Sequence, residues 1–198
     1  MRLFAALEIP DHAKEGLQDW WFEAGAALNP GLWRDVPQHL WHVTLAFYGE
    51  VGGREVDDLA EGLSECAREK PAVHLVTGGY GIFPRPSRPK VFWAGVHEMG
   101  DRDNLRHLAR CCRRVGHATV RRPMAKEQPF RGHVTMARYR GHGKAPLGWL
   151  DQGLPEPPRM DWTSARLCLF QSILRPEGPQ YRRLESFACK TPVTGARD

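Results

Sequence analysis

The sequence predicts an α+β fold in which helices pack on one face of antiparallel sheets. Three observations predict it. Strand-like and helix-like segments alternate, several links are too short for parallel crossovers, and one strand pattern occurs twice.

Each element follows from local chemistry. Arg2-Leu3-Phe4-Ala5-Ala6-Leu7 is apolar after its first residue and Glu8 follows at once. That is too short and too soon charged for a secretory signal, and reads as a first strand over 2–8. Pro10-Asp11 opens a helix over about 12–28. The apolar stretch at 40–48 gives a strand over 41–48 and falls far short of a membrane span. A helix over about 55–69, strands over 72–82 and 90–97, and a helix over about 101–116 come next. A strand over 133–139 and two late strands near 163–174 and 180–188 complete the set. Proline-rich 82–90 and the segment 175–180 read as links between antiparallel neighbours. No long linker or low-complexity tail interrupts 1–198, which reads as one domain.

Hydrophobic residues are 41% and charged residues 26%, a balance that supports a buried core. The net charge of +5 is unevenly spread: residues 81–140 hold 14 Lys/Arg against 4 Asp/Glu, while the remainder is acidic. One part of the molecule is thus electropositive, as a polyanionic partner requires. The five cysteines include adjacent Cys111-Cys112 and no C-x-x-C, so idle thiols in a reducing cytoplasm are expected. A monomer without an obligate protein partner is expected too.

The repeated pattern is His42-Val43-Thr44-Leu45-Ala46, which recurs 91 residues later as His133-Val134-Thr135-Met136-Ala137. Two lobes, each giving one strand to a shared cleft, would explain it. Alternation on a strand puts His42 and Thr44 on one face, and Trp41, Val43, Leu45 and Phe47 on the other. His133 and Thr135 repeat the arrangement above Val134 and Met136. Composition alone predicts roughly 0.3 His-x-Thr triplets, and three occur. The third, His117-Ala118-Thr119, lacks apolar flanks and falls where the third helix should end, so a helix-terminal role suffices for it.

Two imidazoles and two hydroxyls around one point suit phosphoryl transfer without a metal. One imidazole takes a proton from water while the other gives one to the departing sugar oxygen. A histidine pKa near 6.5 lets one neutral and one protonated ring coexist near neutrality. The threonine hydroxyls can hydrogen-bond the non-bridging oxygens. No H-x-H, H-E-x-x-H or G-x-x-x-x-G-K-[ST] occurs, which argues against a metallohydrolase and against an ATP-dependent ligase or kinase.

At these residues the sequence resembles the 2H phosphoesterase superfamily, in its RNA 2′,3′-cyclic phosphodiesterase branch, historically the 2′–5′ RNA ligases. The resemblance covers nearly the whole chain. It runs from Arg2–Leu7 and Trp33 through 37–49, the two segments 81–86 and 89–96, and 129–138, to Phe170-Gln171-Ser172 and Tyr181-Arg182-Arg183-Leu184. It implies a two-lobed pseudo-twofold fold, antiparallel sheets lining a central cleft with helices outside, and no cofactor. It also implies hydrolysis of RNA ends bearing a 2′,3′-cyclic phosphate to 2′-phosphates, with a weak reverse ligation. By that analogy His42 is the proton donor, His133 the proton acceptor, and Thr44 and Thr135 bind phosphate oxygens. The sequence itself does not divide the two histidine roles.

Arg138 matches a family position near the bound nucleotide. On a regular strand its parity puts it on the core side, so a substrate role requires the strand to bend or end there. Arg131 is a second substrate-binding candidate, and Arg85, Arg88, Lys90, Arg121 and Arg122 are further candidates for RNA phosphates. Gly132 stands where the family usually has proline, and the freer backbone is expected to loosen the second motif. Most tryptophans are expected in the core, and His12, His74, His97, His107 and His142 in surface or capping roles. Two alternatives stay open: a sibling enzyme acting on a small cyclic nucleotide or oligonucleotide, and a noncatalytic RNA-binding module.

Overall fold

The structure is a computed structural model, and it describes residues 1–28, 31–124, 129–141, 153–176 and 178–190. Its elements are β1 (Arg2–Glu8), α1 (Asp11–Ala26), β2 (Trp33–Asp35), β3 (His42–Glu50), α2 (Glu55–Glu69), β4 (Val73–Arg85) and β5 (Arg88–Glu98). α3 (Asn104–Thr119), β6 (His133–Tyr139), β7 (Asp161–Ser164), β8 (Arg166–Arg175) and β9 (Gly178–Ala188) follow. The predicted elements are all present. Two features escaped prediction: β2 with the short 3₁₀ turn Gln38–Leu40 behind it, and a break at Ala165 that splits the expected 163–174 strand.

The strands form two sheets whose paired neighbours all run antiparallel. One has the order β3-β1-β8-β9, and the other β2-β6-β5-β4-β7. The break at Ala165 is where the chain leaves the second sheet for the first, β7 pairing with β4 and β8 with β1. Each His-x-Thr strand ends a β-α-β unit, β1-α1-β3 or β5-α3-β6, and pairs with the strand that opens it. The two units share this order, apart from β2, which lies between α1 and β3 in the first and joins the second sheet.

The helices are exchanged between them. α1 begins in the first unit but stacks Trp20 and Trp21 on Phe92 of β5 and Trp20 on Tyr80 of β4. α3 begins in the second unit but packs on β3 and α2, where Tyr48 donates from its hydroxyl to the Cys112 carbonyl at 3.2 Å. α2 covers β8 and β9. One continuous core results, running from Leu7 and Leu17 through Phe92 and Met136 to Leu108 and Leu169. Burial of this apolar surface is the main stabilising term.

The expectation of buried or idle thiols is corrected at two of the five cysteines. Cys66 and Cys111 are joined as a disulfide across α2 and α3, with Cα atoms 6.1 Å apart. Helix packing brought them together, and linear spacing carries no sign of that. Cys112, Cys168 and Cys189 are free and buried. Among the described residues, no helix is long and apolar enough to cross a membrane.

Candidate active site

His42 opens β3 and His133 opens β6, so both motifs lie at strand starts where the two sheets approach each other. The segment between β2 and β3 fixes the gap. Val36 donates its N–H to the Met136 carbonyl of β6 at 2.8 Å, and Trp41 donates from Nε1 to the Val36 carbonyl at 2.8 Å. Six residues after Val36 the chain enters the other sheet at His42. This brace is why two segments 91 residues apart in sequence share a site.

The four motif residues converge on one cavity. His42, Thr44, His133 and Thr135 line one cavity of about 250 Å³, together with Arg138 and Tyr181. Each imidazole is oriented by the carbonyl two residues upstream: His42 Nδ1 lies 2.7 Å from the Leu40 oxygen, and His133 Nδ1 lies 2.7 Å from the Arg131 oxygen. A carbonyl only accepts, so each Nδ1 carries the hydrogen. Each Nε2 is left without a hydrogen bond among the described residues and free to exchange a proton. The device is the same in both halves.

The rings are walled differently. His42 sits against Phe4 at 4.8 Å and edge-on to Tyr181 at 5.2 Å. His133 lies edge-on to Phe83 at 5.0 Å, with Trp93 at 6.2 Å. Burial pushes the His42 pKa down to about 4; the Leu40 carbonyl opposes this, while His133 and Arg138 add to it. His133 is also lowered, by burial first, with the Arg131 carbonyl opposing and the Arg138 and Arg131 guanidiniums assisting. Burial, which the sequence does not show, thus disfavours the imidazolium at both rings in the free protein.

A β-bulge answers the Arg138 question. Opposite β5, Ala137 pairs with Phe92 and Thr135 with Trp93, leaving Met136 as an extra residue. Met136 and Ala137 are both buried, the alternation inverts, and Arg138 joins His133 and Thr135 on the cavity side. β3 carries the same device. Ala46 pairs with Ala5 and Thr44 with Ala6, so Leu45 is the extra residue. Phe47, expected on the core face, is instead 58% exposed and lines the cavity. A regular period of two breaks at both bulges, which is why parity failed twice.

Gly132 also behaves differently from expectation. Its carbonyl accepts the Val96 N–H at 3.0 Å, and a Cβ at this position would run into the Val96 carbonyl. Glycine here allows β5 to come close, so the second motif is held rather than loosened. Arg131 stands outside the smaller cavity with its guanidinium 5.5 Å from the Trp93 ring centre. Arg85, Arg88, Arg121 and Arg122 are exposed and line neither cavity described here. His117 is exposed in the last turn of α3, and Thr119 donates to the Val115 carbonyl at 2.9 Å, so the third triplet is a helix end. His142 lies outside the described residues. Among those residues, no three His, Cys, Asp or Glu side chains cluster as a metal site.

Sequence reasoning missed Phe47, Phe83 and Tyr181. Phe47 had a usable signal, because it is the counterpart of Arg138 when the two motifs are superposed. Phe83 and Tyr181 come from distant strands; both fall in segments that carry the family resemblance, but no local pattern places them beside the histidines.

Two antiparallel sheets joined through paired His-x-Thr strands define the class of protein. The chain belongs to the 2′-5′ RNA ligase superfamily, whose family model matches residues 9–172. A relative from Thermus thermophilus, named RNA 2′,3′-cyclic phosphodiesterase, is 30% identical over 96% of this chain and 91% of its own. One of the same name from Archaeoglobus fulgidus is 30% identical over 94% of this chain and 99% of its own. Among solved structures, TT0787 of Thermus thermophilus superposes with a TM-score of 0.78 at 29% identity, covering 97% of this chain and 100% of its own. Apo LigT of E. coli gives 0.75 at 23% identity, over 96% and 97%, a likeness of fold.

Proposed function

We propose that the chain hydrolyses terminal 2′,3′-cyclic phosphates of RNA to 2′-phosphomonoesters by two-histidine acid–base catalysis. The observation that carries the reading is the 250 Å³ cavity in which both His-x-Thr pairs meet, each ring held through Nδ1. The name shared by the relatives supports the substrate class.

In this reading the cyclic phosphate lies between the rings, its non-bridging oxygens taking hydrogen bonds from Thr44 and Thr135. The anion offsets the burial that keeps the rings neutral, so one proton enters with it. Water attacks phosphorus as His133 Nε2 removes its proton. The bond from phosphorus to the 3′ oxygen breaks, and His42 Nε2 supplies the proton that oxygen needs. Burial and the Arg138 guanidinium lower both rings, so each is a strong acid once charged. The split of roles, His42 as donor and His133 as acceptor, follows the family analogy. With a 5′-hydroxyl in place of water as the nucleophile, the same displacement breaks the bond from phosphorus to the 3′ oxygen and leaves a 2′–5′ linkage. All of these steps run on side chains alone, with no metal or cofactor called upon.

The test is incubation with an oligoribonucleotide ending in a 2′,3′-cyclic phosphate, with and without EDTA. A 2′-phosphate product and unchanged rates in EDTA are expected. A 3′-phosphate product, or no turnover, overturns the assignment.

A further inference from the structure

A second, larger groove of about 1320 Å³ opens from the cavity, sharing Thr44, Phe47, Phe83, Val91 and His133 with it. Small-molecule sites usually measure roughly 300–1,000 Å³, so this space exceeds what one nucleotide needs. It runs past the β4–β5 hairpin and the segment before β6 to the first turns of α3. Its walls combine two kinds of group. The aromatic ones are Phe47, 58% exposed, Phe83, and Trp93 under the Arg131 guanidinium. The cationic ones include Lys90, Arg102, Arg106 and Arg131, all exposed.

The acidic groups on the same walls are already engaged. Glu98 accepts the Asn104 side-chain amide and the Leu105 N–H at 2.8 Å each, capping α3. Asp103 pairs with Arg106 at 3.5 Å. That pair engages Arg106 as well, so Lys90, Arg102 and Arg131 carry the remaining positive balance, and most of the groove's lining comes from the basic 81–140 stretch that the sequence marks out.

We infer that this groove holds the single strand of RNA on the 5′ side of the cyclic end. The inference rests on the activity proposed above. A cyclic phosphate occupies the 3′ terminus, so a polymer seated between the histidines leaves from its 5′ side, and the groove is continuous with the cavity on the His133 side. Unpaired bases offer faces to Phe47 and Phe83, and backbone phosphates meet the cations. The occupant is thereby a single-stranded oligonucleotide rather than a lone cyclic nucleotide or a duplex.

Kinetics on two substrates test this: 2′,3′-cyclic AMP and a hexaribonucleotide with a 2′,3′-cyclic phosphate. The hexamer should show kcat/KM at least tenfold higher, through KM. A variant carrying Lys90→Gln and Arg102→Gln should lose tenfold or more on the hexamer and stay within twofold on cyclic AMP. Its slope of log kcat/KM against log salt should flatten by about 1.4, as expected for two lost phosphate contacts. Equal efficiency on both substrates, or an unaltered hexamer rate in the variant, overturns the groove and leaves the activity intact. An equal loss on both substrates overturns it as well. Should wild type turn over neither, the activity is wrong, and fluorescence anisotropy of a labelled hexamer decides the groove alone: tight wild-type binding weakened tenfold in the variant supports it, and equal binding refutes it.

Discussion

The start of β3 and the start of β6 are the two regions to compare. Both hold an imidazole by an upstream carbonyl, present a threonine beside it, and bulge at the residue after that threonine. The bulge then delivers Phe47 in one half and Arg138 in the other. Aromatic rings flank both imidazoles and Arg138 acts on both, while the Arg131 guanidinium acts on His133 alone. Backbone sets the shared geometry and the side chains next to it set the difference. On the proposed mechanism, a symmetric frame serves an asymmetric reaction, with one ring to give a proton and one to take it.

The largest test of that asymmetry removes each ring. His42→Ala and His133→Ala should each lower kcat by about 10²–10⁴, with smaller changes in KM. Replacing the 3′ bridging oxygen by sulfur separates them, since a thiolate leaves unaided: turnover should recover in His42→Ala and stay low in His133→Ala. The opposite recovery reverses the roles.

Next in size, Thr44→Val and Thr135→Val should each cost about 10²-fold in kcat while keeping the fold, as for a lost donor to a developing charge. A Thr variant with wild-type kcat removes that hydroxyl from the reaction. Phe47→Ala and Arg138→Ala compare the two bulge products. Phe47→Ala should raise KM about 5- to 100-fold, the worth of one stacked base. Arg138→Ala should raise both imidazole pKa values, because it removes a cation that lowers them. Its kcat/KM profile should move to higher pH, and an unmoved profile breaks the electrostatic account.

On the proposed mechanism the productive form carries one proton on the histidine pair, and both folded pKa values lie below 6.5. The kcat/KM optimum should therefore fall on the acid side of neutrality, and kcat should peak at higher pH because bound phosphate favours the imidazolium. The smallest effect concerns stability. The unfolded chain takes up the His42 proton at pH 6.5 and the folded chain only near 4, so the stabilisation is whole above 6.5 and lost as pH falls to about 4. At most about 3 kcal/mol is at stake, and His42→Gln should flatten that part of a denaturation series.

Much of this is legible in the sequence. Strong periodicity and short links point to the α+β class, and duplication of His-x-Thr points to the site. The legible parts are those set by neighbours along the chain. The bulges at Leu45 and Met136 are not, because an extra residue shows only against its partner strand. Neither are Tyr181, Phe83 or the Cys66–Cys111 pair, which depend on how distant elements pack. The depression of the histidine pKa values belongs to the same group, since burial is a property of the assembled core.

The crossed-over helices have a consequence for how the molecule can be divided. α1 leaves with the N-terminal half yet roofs the sheet of the other, and α3 does the converse. A gene cut between α2 and β4 would yield two fragments, each missing its own lid and carrying its sibling's. Neither should fold by itself, whereas co-expression should reconstitute the whole. The jaws of the site are in this sense cross-stitched, and their span is a fixed property of the fold.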